Sequence, residues 1–186
     1  MKTIHIFLIF ISLALVQLFI PYQMIAGKEA VLKEGKKYKF KTRPVDPTDP
    51  FRGKYITLRY QETSIKTKDS TWNRGDDVYV KLKDSLGYAT IDKISKNEFA
   101  NSDNYVKAKV NWYNLTSGKL NFDYEFDRYY MDENKAYEAE ITSMSVLRDS
   151  IPENDTYAVV YVKNGKAVLA DVMIDEVSIK DYVKEE

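Results

Sequence analysis

The sequence predicts an α+β protein, with a mostly antiparallel β-sheet or barrel-like domain and one packed α-helix, preceded by an N-terminal transmembrane helix. Segments of alternating polar and apolar residues recur along the chain, and short turns rich in Gly, Asn and Asp separate them. The chain contains 15 Tyr and 8 Phe, and aromatic side chains suit pleated, half-buried surfaces. The N-terminus alone is continuously apolar, and one later stretch has helical periodicity.

Composition excludes several classes of protein. The 186 residues leave room for one globular domain after the N-terminal segment. Lys plus Arg and Asp plus Glu each number 28, and this formal net charge of +0 argues against a nucleic-acid partner. The chain has no Cys, and its one His, His5, lies in the apolar segment. Thiol catalysis, a Ser-His-Asp triad and a His-ligated zinc site are therefore excluded from the domain, and we expect no enzyme activity and no cofactor.

Residues 1–26 predict a membrane anchor. Residues 4–20 are almost continuously apolar, and residues 22–26 extend the run to the roughly 20 residues that a bilayer-spanning helix needs. The alternative is a cleaved signal peptide, which also begins with a charged residue before an apolar core. Residues 24–26, Met-Ile-Ala, make a poor cleavage site because the first of them is not small. The sequence therefore favours an uncleaved single-pass anchor.

The orientation of this anchor has two opposed signals. Lys2 precedes the apolar run, whereas Lys28, Lys33, Lys36 and Lys37 follow it, so the positive-inside rule would place the domain in the cytoplasm. A short Met-Lys start before an apolar run is instead typical of an export signal. On the second signal we expect an extracytoplasmic domain.

A charged stalk at residues 27–37 is followed by the predicted domain at residues 38–186. Six alternating segments make up the first part of the domain: 38–45, 54–63, 77–83, 88–94, 105–113 and 119–126. Turn-forming residues separate several of these segments, at 73–76, 84–87, 101–104 and 116–118. This spacing is typical of antiparallel strands.

The most distinctive stretch is residues 42–60, TRPVDPTDPFRGKYITLRY, where a turn rich in Pro and Asp leads into a strand. Its prolines fix their own φ and favour extended geometry in the residues before them. Gly53 supplies the permissive backbone that a sharp entry into a strand needs. Because strand side chains alternate between faces, Ile56, Leu58 and Tyr60 form the predicted core face.

This stretch resembles the signature of the bacterial GDYXXLXY family, small membrane-anchored proteins to which no reaction is assigned. The residues at the fixed positions of the family motif are Gly53, Tyr55, Leu58 and Tyr60, and the preceding PVDPTDPFRG is also similar. Lys54 stands where the family has Asp, which argues against an obligatory catalytic or metal-binding acid there. The resemblance implies an anchored domain beyond the membrane and, as a partner, a multi-pass membrane protein.

The last third of the chain contains a predicted helix and a hairpin. Residues 133–148 have apolar positions at helical spacing after an N-cap at Asp132, and the helix should pack on the sheet. Asn164-Gly165 is a strong two-residue hairpin signal between strands at 156–162 and 167–174. Residues 177–182 predict a final short strand.

Two clusters of polar residues are candidate sites. The first is a candidate binding surface for a small anion or carboxylate, since Arg offers a planar fork and Tyr a hydroxyl: it comprises Asp46, Asp49, Arg52, Tyr55, Arg59, Tyr129 and Tyr130. In the alternative interpretation the two Asp residues pair with an Arg and lock the turn on the sheet. The second cluster is Asp123, Glu125 and Asp127 on one strand face, a supply of oxygen ligands for a cation. Alternatively this is a solvated face, and the alternating Phe122, Tyr124 and Phe126 form an aromatic core face behind it.

These observations predict a non-enzymatic accessory or binding subunit at the membrane surface, in contact with the lipid bilayer. Ser12 and Gln17 are polar residues in the apolar helix and candidate contacts with a partner helix. The alternative is an anchored sensor or enzyme that binds a small ligand or cation at the turn rich in Pro and Asp and the adjoining Tyr and Arg face.

Overall fold

The structure is a computed structural model, and it describes residues 3–43, 55–130 and 155–182. This part of the chain forms helix α1 (Thr3–Glu34), a one-turn helix α2 (Ile179–Tyr182) and twelve strands. The strands are β1 (Lys36–Arg43), β2 (Tyr55–Thr57), β3 (Arg59–Tyr60), β4 (Ser64–Lys66), β5 (Asp77–Ser85), β6 (Tyr88–Ser95), β7 (Tyr105–Asn114), β8 (Lys119–Tyr124), β9 (Arg128–Tyr130), β10 (Thr156–Lys163), β11 (Lys166–Ile174) and β12 (Val177–Ser178).

The strands form two five-stranded antiparallel sheets, in the orders β12-β11-β10-β1-β3 and β4-β8-β7-β5-β6, and a separate pair, β2-β9. Residues 55–66 connect the two sheets, because β3 pairs with β1 in the first sheet and β4 pairs with β8 in the second. Between them β2 pairs with β9, and the Leu58 N–H donates to the Asp127 carbonyl (2.7 Å). Residues 55–66 thus form a seam along residues 119–130, which makes the assembly barrel-like.

A second connection lies at the tip of the β10-β11 hairpin. The Lys107 N–H donates to the Gly165 carbonyl (2.9 Å), and the Gly165 N–H donates to the Tyr105 carbonyl (3.1 Å). Asn164 and Gly165 both have positive φ, 49° and 78°, as the two central residues of a type I′ turn require. The hairpin predicted from Asn164-Gly165 is therefore confirmed, and its tip joins the first sheet to β7 of the second.

The core between the sheets is rich in aromatic side chains. Phe40, Tyr60, Tyr124 and Phe126 are buried against one another, with ring centroids 4.9–5.6 Å apart. Most of these pairs meet edge to face, the arrangement that the ring quadrupoles favour. The α+β class and the antiparallel, barrel-like sheet predicted from the sequence are confirmed.

Helix α1 runs without interruption from the apolar segment into contact with the domain. It is long and apolar enough to cross a membrane, and its apolar segment is exposed along its length. Residues 27–34, part of the predicted stalk, form its last turns and pack on β10 and β11, where Val31 is buried. The Gly35 N–H donates to the Val31 carbonyl (2.8 Å), and Glu34 pairs with Lys163. No loop therefore separates the apolar helix from the domain.

The structure differs from the predicted elements in three places. The predicted strand 54–63 is divided into β2 and β3 at Leu58, where the chain changes partner from β9 to β1. The predicted strand 177–182 is wrong beyond Ser178, because α2 begins at Ile179 and buries that side chain. Residues 128–130, which lie outside the predicted strands, form strand β9. The predicted helix at 133–148 lies outside the described residues.

Candidate functional site

The inner face of the motif strand is part of the core. Leu58 and Tyr60 are buried, and Ile56 is half-buried, which confirms the core face predicted from alternation. The Tyr60 hydroxyl donates to the Phe126 carbonyl (2.7 Å). Burial raises the pKa of Tyr60 far above its ordinary value, because the interior disfavours the tyrosinate. Tyr60 is thus placed to hold the seam closed, not to exchange a proton with a ligand.

A second tyrosine crosses the seam in the opposite direction. The Tyr124 hydroxyl donates to the Glu62 carbonyl (2.8 Å), and burial raises the pKa of this hydroxyl as well. Tyr60 reaches from the motif segment to residue 126, and Tyr124 reaches from the opposite segment to residue 62. Because both carbonyls lie between strands, the two side chains supply donors that the sheet itself does not.

Tyr129 and Tyr130, both in the predicted binding surface, point to opposite faces of β9. Tyr129 is buried opposite Ile56, and its hydroxyl donates to Asp171 Oδ1 (2.6 Å). Burial, and then the Asp171 carboxylate, raise the pKa of Tyr129. Tyr130 is exposed, and its backbone pairs with that of Tyr55. The structure therefore places Tyr129 in the core and leaves Tyr130 at the surface.

The outer face of the motif segment borders a cleft, which we call the motif cleft. It has a volume of about 290 Å³, and its polar lining comes from both sides of the seam: Thr57, Arg59, Thr63, Asp123 and Asp127. Leu58, Tyr60 and Tyr124 form its floor. Among the predicted binding-surface residues whose side chains are described, Arg59 thus lines this cleft. Thr63 was missed, since nothing in the sequence marks it as facing this cleft.

The remaining predicted residues add no described side chain to the motif cleft. Asp46, Asp49, Arg52 and Gly53 lie outside the described residues, and Tyr55 is described by its backbone pairing alone. The predicted pairing of the two Asp residues with an Arg lies outside the described residues for the same reason.

The three carboxylates predicted to share a strand face do not converge. Asp123 and Asp127 line the motif cleft, whereas Glu125 lines a different cavity beside α1. Phe122, Tyr124 and Phe126, which alternate with them, are buried as predicted. Among residues 3–43, 55–130 and 155–182, no group of three or more His, Cys, Asp or Glu side chains is arranged to hold a metal ion.

Comparison with known proteins gives one match. The family model described as GDYXXLXY protein matches residues 17–172, which include the end of the apolar helix, the motif segment and most of the described strands. No curated protein and no solved structure matches the chain.

Proposed function

The chain belongs to the GDYXXLXY family, and we propose that it is a non-enzymatic, single-pass membrane subunit that binds a multi-pass membrane protein. The observation that carries the proposal is a polar position, Gln17, in the exposed apolar part of α1. The extracytoplasmic side is proposed for the domain on the export-like start of the chain.

Gln17 presents more than one polar group to the bilayer. Its side chain is exposed between apolar neighbours. Pro21, four residues later in the same helix, has no N–H, so the Gln17 carbonyl lacks its ordinary helical donor. In hydrocarbon no water is present to satisfy such groups. A neighbouring helix with a polar side chain would satisfy both the amide and the carbonyl, which favours a multi-pass partner.

Ser12, the other polar candidate, has no such need. Its hydroxyl donates to the Leu8 carbonyl within α1 (2.9 Å). A serine that satisfies its own hydroxyl in this way is tolerated in a helix surrounded by lipid. The two polar residues therefore make a matched pair, in which Gln17 requires an external partner and Ser12 does not.

The non-enzymatic part of the proposal is supported by the state of three buried tyrosine hydroxyls, one of which, that of Tyr60, belongs to the family motif. Tyr60, Tyr124 and Tyr129 direct their hydroxyls to acceptors inside the protein, and burial raises the pKa of each. General acid or base catalysis instead calls for a group with a pKa near the working pH and an open path to substrate. The described residues of the family signature therefore have a structural role.

Co-purification tests this proposal. The full-length protein, tagged at its C-terminus, is extracted in mild detergent, and proteins bound to it are identified by mass spectrometry. We expect one multi-pass protein to accompany the wild type and the Ser12→Ala control. Its yield should fall about fivefold to thirtyfold with Gln17→Leu, if one interhelical hydrogen-bonding site of about 1–2 kcal/mol is lost. Equal recovery with all three proteins would contradict the role of Gln17.

A second candidate function uses the motif cleft, which combines Arg59 with Asp123 and Asp127 around about 290 Å³. Such a mixed lining suits a small charged ligand. This function would be favoured if no membrane protein co-purifies while a metal ion or a small anion raises the melting temperature of the same preparation.

A further inference from the structure

A groove opens between the last turns of α1 and the sheet, and we call it the juxtamembrane groove. Its volume is about 420 Å³. Met24, Gly27 and Lys28 line it on the helix side. On the sheet side its charged lining is Lys107, Glu125 and Lys166. The groove is separate from the motif cleft and shares no lining residue with it.

The position of the groove along α1 sets its depth relative to a bilayer. If the apolar run to Ile20 and the following Tyr22 lie in the membrane, the helix leaves the hydrocarbon near Gln23. Lys28 then lies about 9 Å beyond Tyr22, at about 1.5 Å per residue. The headgroup layer is about 5–8 Å thick on each side of the bilayer. The groove, which is lined from Gln23 to Val31 on α1, therefore opens within the headgroup layer, and Lys28 lies at the outer edge of that layer.

The charges of the groove favour an anion. Lys107 is paired with Asp77 (2.8 Å), which together with the more weakly interacting Glu125 raises the pKa of this lysine. Within the described parts of the chain, neither Lys28 nor Lys166 has a carboxylate partner. The Lys166 ammonium lies against the backbone of Gly27, since a Cβ on that glycine would be 3.9 Å from Lys166 Nζ. Lys28 and Lys166, which form no ion pair with a described carboxylate, thus line one opening together with Glu125 and the paired Lys107, so that basic side chains outnumber the acidic one there.

Apart from Gln23, the rest of the lining is uncharged and mostly apolar. Met24, Val31, Phe126 and Val168 surround the charged mouth. Val31 is buried against the sheet, and the packing of α1 on β10 and β11 holds the two walls of the groove together. A preformed cavity with a charged mouth and apolar walls matches a molecule with a phosphate next to a glyceride.

We propose that the juxtamembrane groove binds the headgroup of an anionic phospholipid, with its phosphate between Lys28 and Lys166. The proposal rests on the membrane anchoring proposed above. It goes beyond general attraction of basic residues to a charged bilayer, because it assigns the interaction to one cavity and two lysines.

The test uses the full-length protein in nanodiscs. One set of discs contains phosphatidylcholine alone, and the other contains phosphatidylcholine with phosphatidylglycerol. We expect phosphatidylglycerol to raise the melting temperature of the wild-type domain. In the variant Lys28→Gln/Lys166→Gln we expect the affinity for phosphatidylglycerol to fall about fivefold for each lysine removed.

The matched control removes the same charge far from the groove. Lys68 and Lys119 are exposed beside the β7-β8 turn, and β8 separates Lys119 from Glu125 by about 20 Å, at about 3.4 Å per residue. The variant Lys68→Gln/Lys119→Gln should keep the full response to phosphatidylglycerol. If both double variants lose it equally, the binding is a general effect of net charge and the proposed site is wrong.

Three further outcomes separate this proposal from others. A rise in melting temperature with inorganic phosphate in phosphatidylcholine discs, equal to that with phosphatidylglycerol, would overturn the assignment to a lipid. Normal insertion with no response to phosphatidylglycerol would overturn the lipid site and leave the anchored subunit intact. Failure of the full-length protein to enter nanodiscs would overturn the anchoring itself, and with it both proposals.

Discussion

The seam and the juxtamembrane groove differ in whether their polar side chains have partners inside the protein. At the seam, the hydroxyls of Tyr60 and Tyr124 are buried and bound to backbone carbonyls on the opposite segment. In the groove, Lys28 and Lys166 face an opening with no carboxylate partner among the described residues. The seam contains the described core residues of the family signature. The tyrosine hydroxyls of its inner face are already hydrogen-bonded within the protein and do not face a partner. The lipid site that we propose lies instead beside α1.

This difference explains how a signature can identify a family and leave its function open. Leu58 and Tyr60 are the point at which one segment changes partner from β9 to β1. A change at either residue would therefore disturb two sheets together. The groove, in contrast, is lined by residues of four separate segments, and no short motif describes it.

The largest expected effect is the loss of Tyr60. Tyr60→Ala removes a buried ring from the aromatic core and should lower the free energy of unfolding by about 3–5 kcal/mol. Tyr60→Phe keeps the ring but leaves the Phe126 carbonyl without its donor, at a cost of about 1–3 kcal/mol. Denaturant unfolding in detergent micelles, followed by the fluorescence of buried Trp72, measures both.

Arg59 provides the control for this pair, since it is the next residue along the strand and is exposed. Arg59→Ala should change stability by no more than about 0.5 kcal/mol. A loss with Arg59→Ala as large as that with Tyr60→Ala would show that the outer face, too, is required for the architecture, and the contrast between the two regions would not hold.

A smaller effect is expected at Gly35, where α1 meets the sheet. A Cβ at this position would lie 2.3 Å from the Val31 carbonyl oxygen and 3.1 Å from that of Val162. Gly35→Ala should therefore displace the end of the helix and cost about 1–3 kcal/mol. Amide hydrogen exchange of residues 27–34 would show the loosened contact as faster exchange.

Gly27→Ala is the matched variant in the same helix. Its Cβ would meet only the flexible end of Lys166, at 3.9 Å, and alanine favours a helix over glycine by about 1 kcal/mol. We expect exchange over residues 27–34 to stay the same or become slower. Faster exchange in both variants would indicate that the helix end is not held by the contact with Val162.

A further effect is expected only at high pH and is absent under neutral conditions. Burial raises the pKa of Tyr60 and Tyr124, whereas tyrosines of the unfolded chain ionise near pH 10. The contribution of these two groups is fully present below pH 10. Above it the unfolded chain releases protons that the folded protein keeps, so stability falls by about 1.4 kcal/mol per pH unit for each tyrosine.

Urea unfolding between pH 9 and about pH 11.5 measures this slope. Tyr124→Phe should make the decline shallower by the contribution of one tyrosine, even though it lowers stability at neutral pH. An unchanged slope, or tyrosinate absorbance from the buried rings before unfolding, would show that the seam admits water.

Sequence patterns predicted the fold where structure is decided locally. Asn164 and Gly165 adopt the positive φ values that a tight hairpin demands, and alternation assigned Leu58, Tyr60, Phe122, Tyr124 and Phe126 to the core. Strand β9 was missed because alternation breaks before it: Phe126 is buried, and the next buried side chain is that of Tyr129, three residues later. With three residues, β9 exists through its pairing with β2.

The two cavities could be predicted much less well. Arg59 was assigned to a candidate surface from its position on the polar face, and it does line the motif cleft. Thr63 and Asp127 reach the same cleft because residues 55–66 and 119–130 run side by side, a pairing over more than fifty residues of sequence. The juxtamembrane groove combines α1, strand β7, the segment after β8 and the β10-β11 hairpin. Such combinations are properties of tertiary structure.

The unbroken junction at Gly35 also has a mechanical meaning. The last turns of α1 pack on β10 and β11, with no hinge between the helix and the described part of the domain. The orientation of the domain therefore changes together with the tilt of the helix. Transmembrane helices adjust their tilt to the thickness of the bilayer and to neighbouring helices. A domain joined in this way would tilt together with the helix at each adjustment, and its outermost loops would move the farthest.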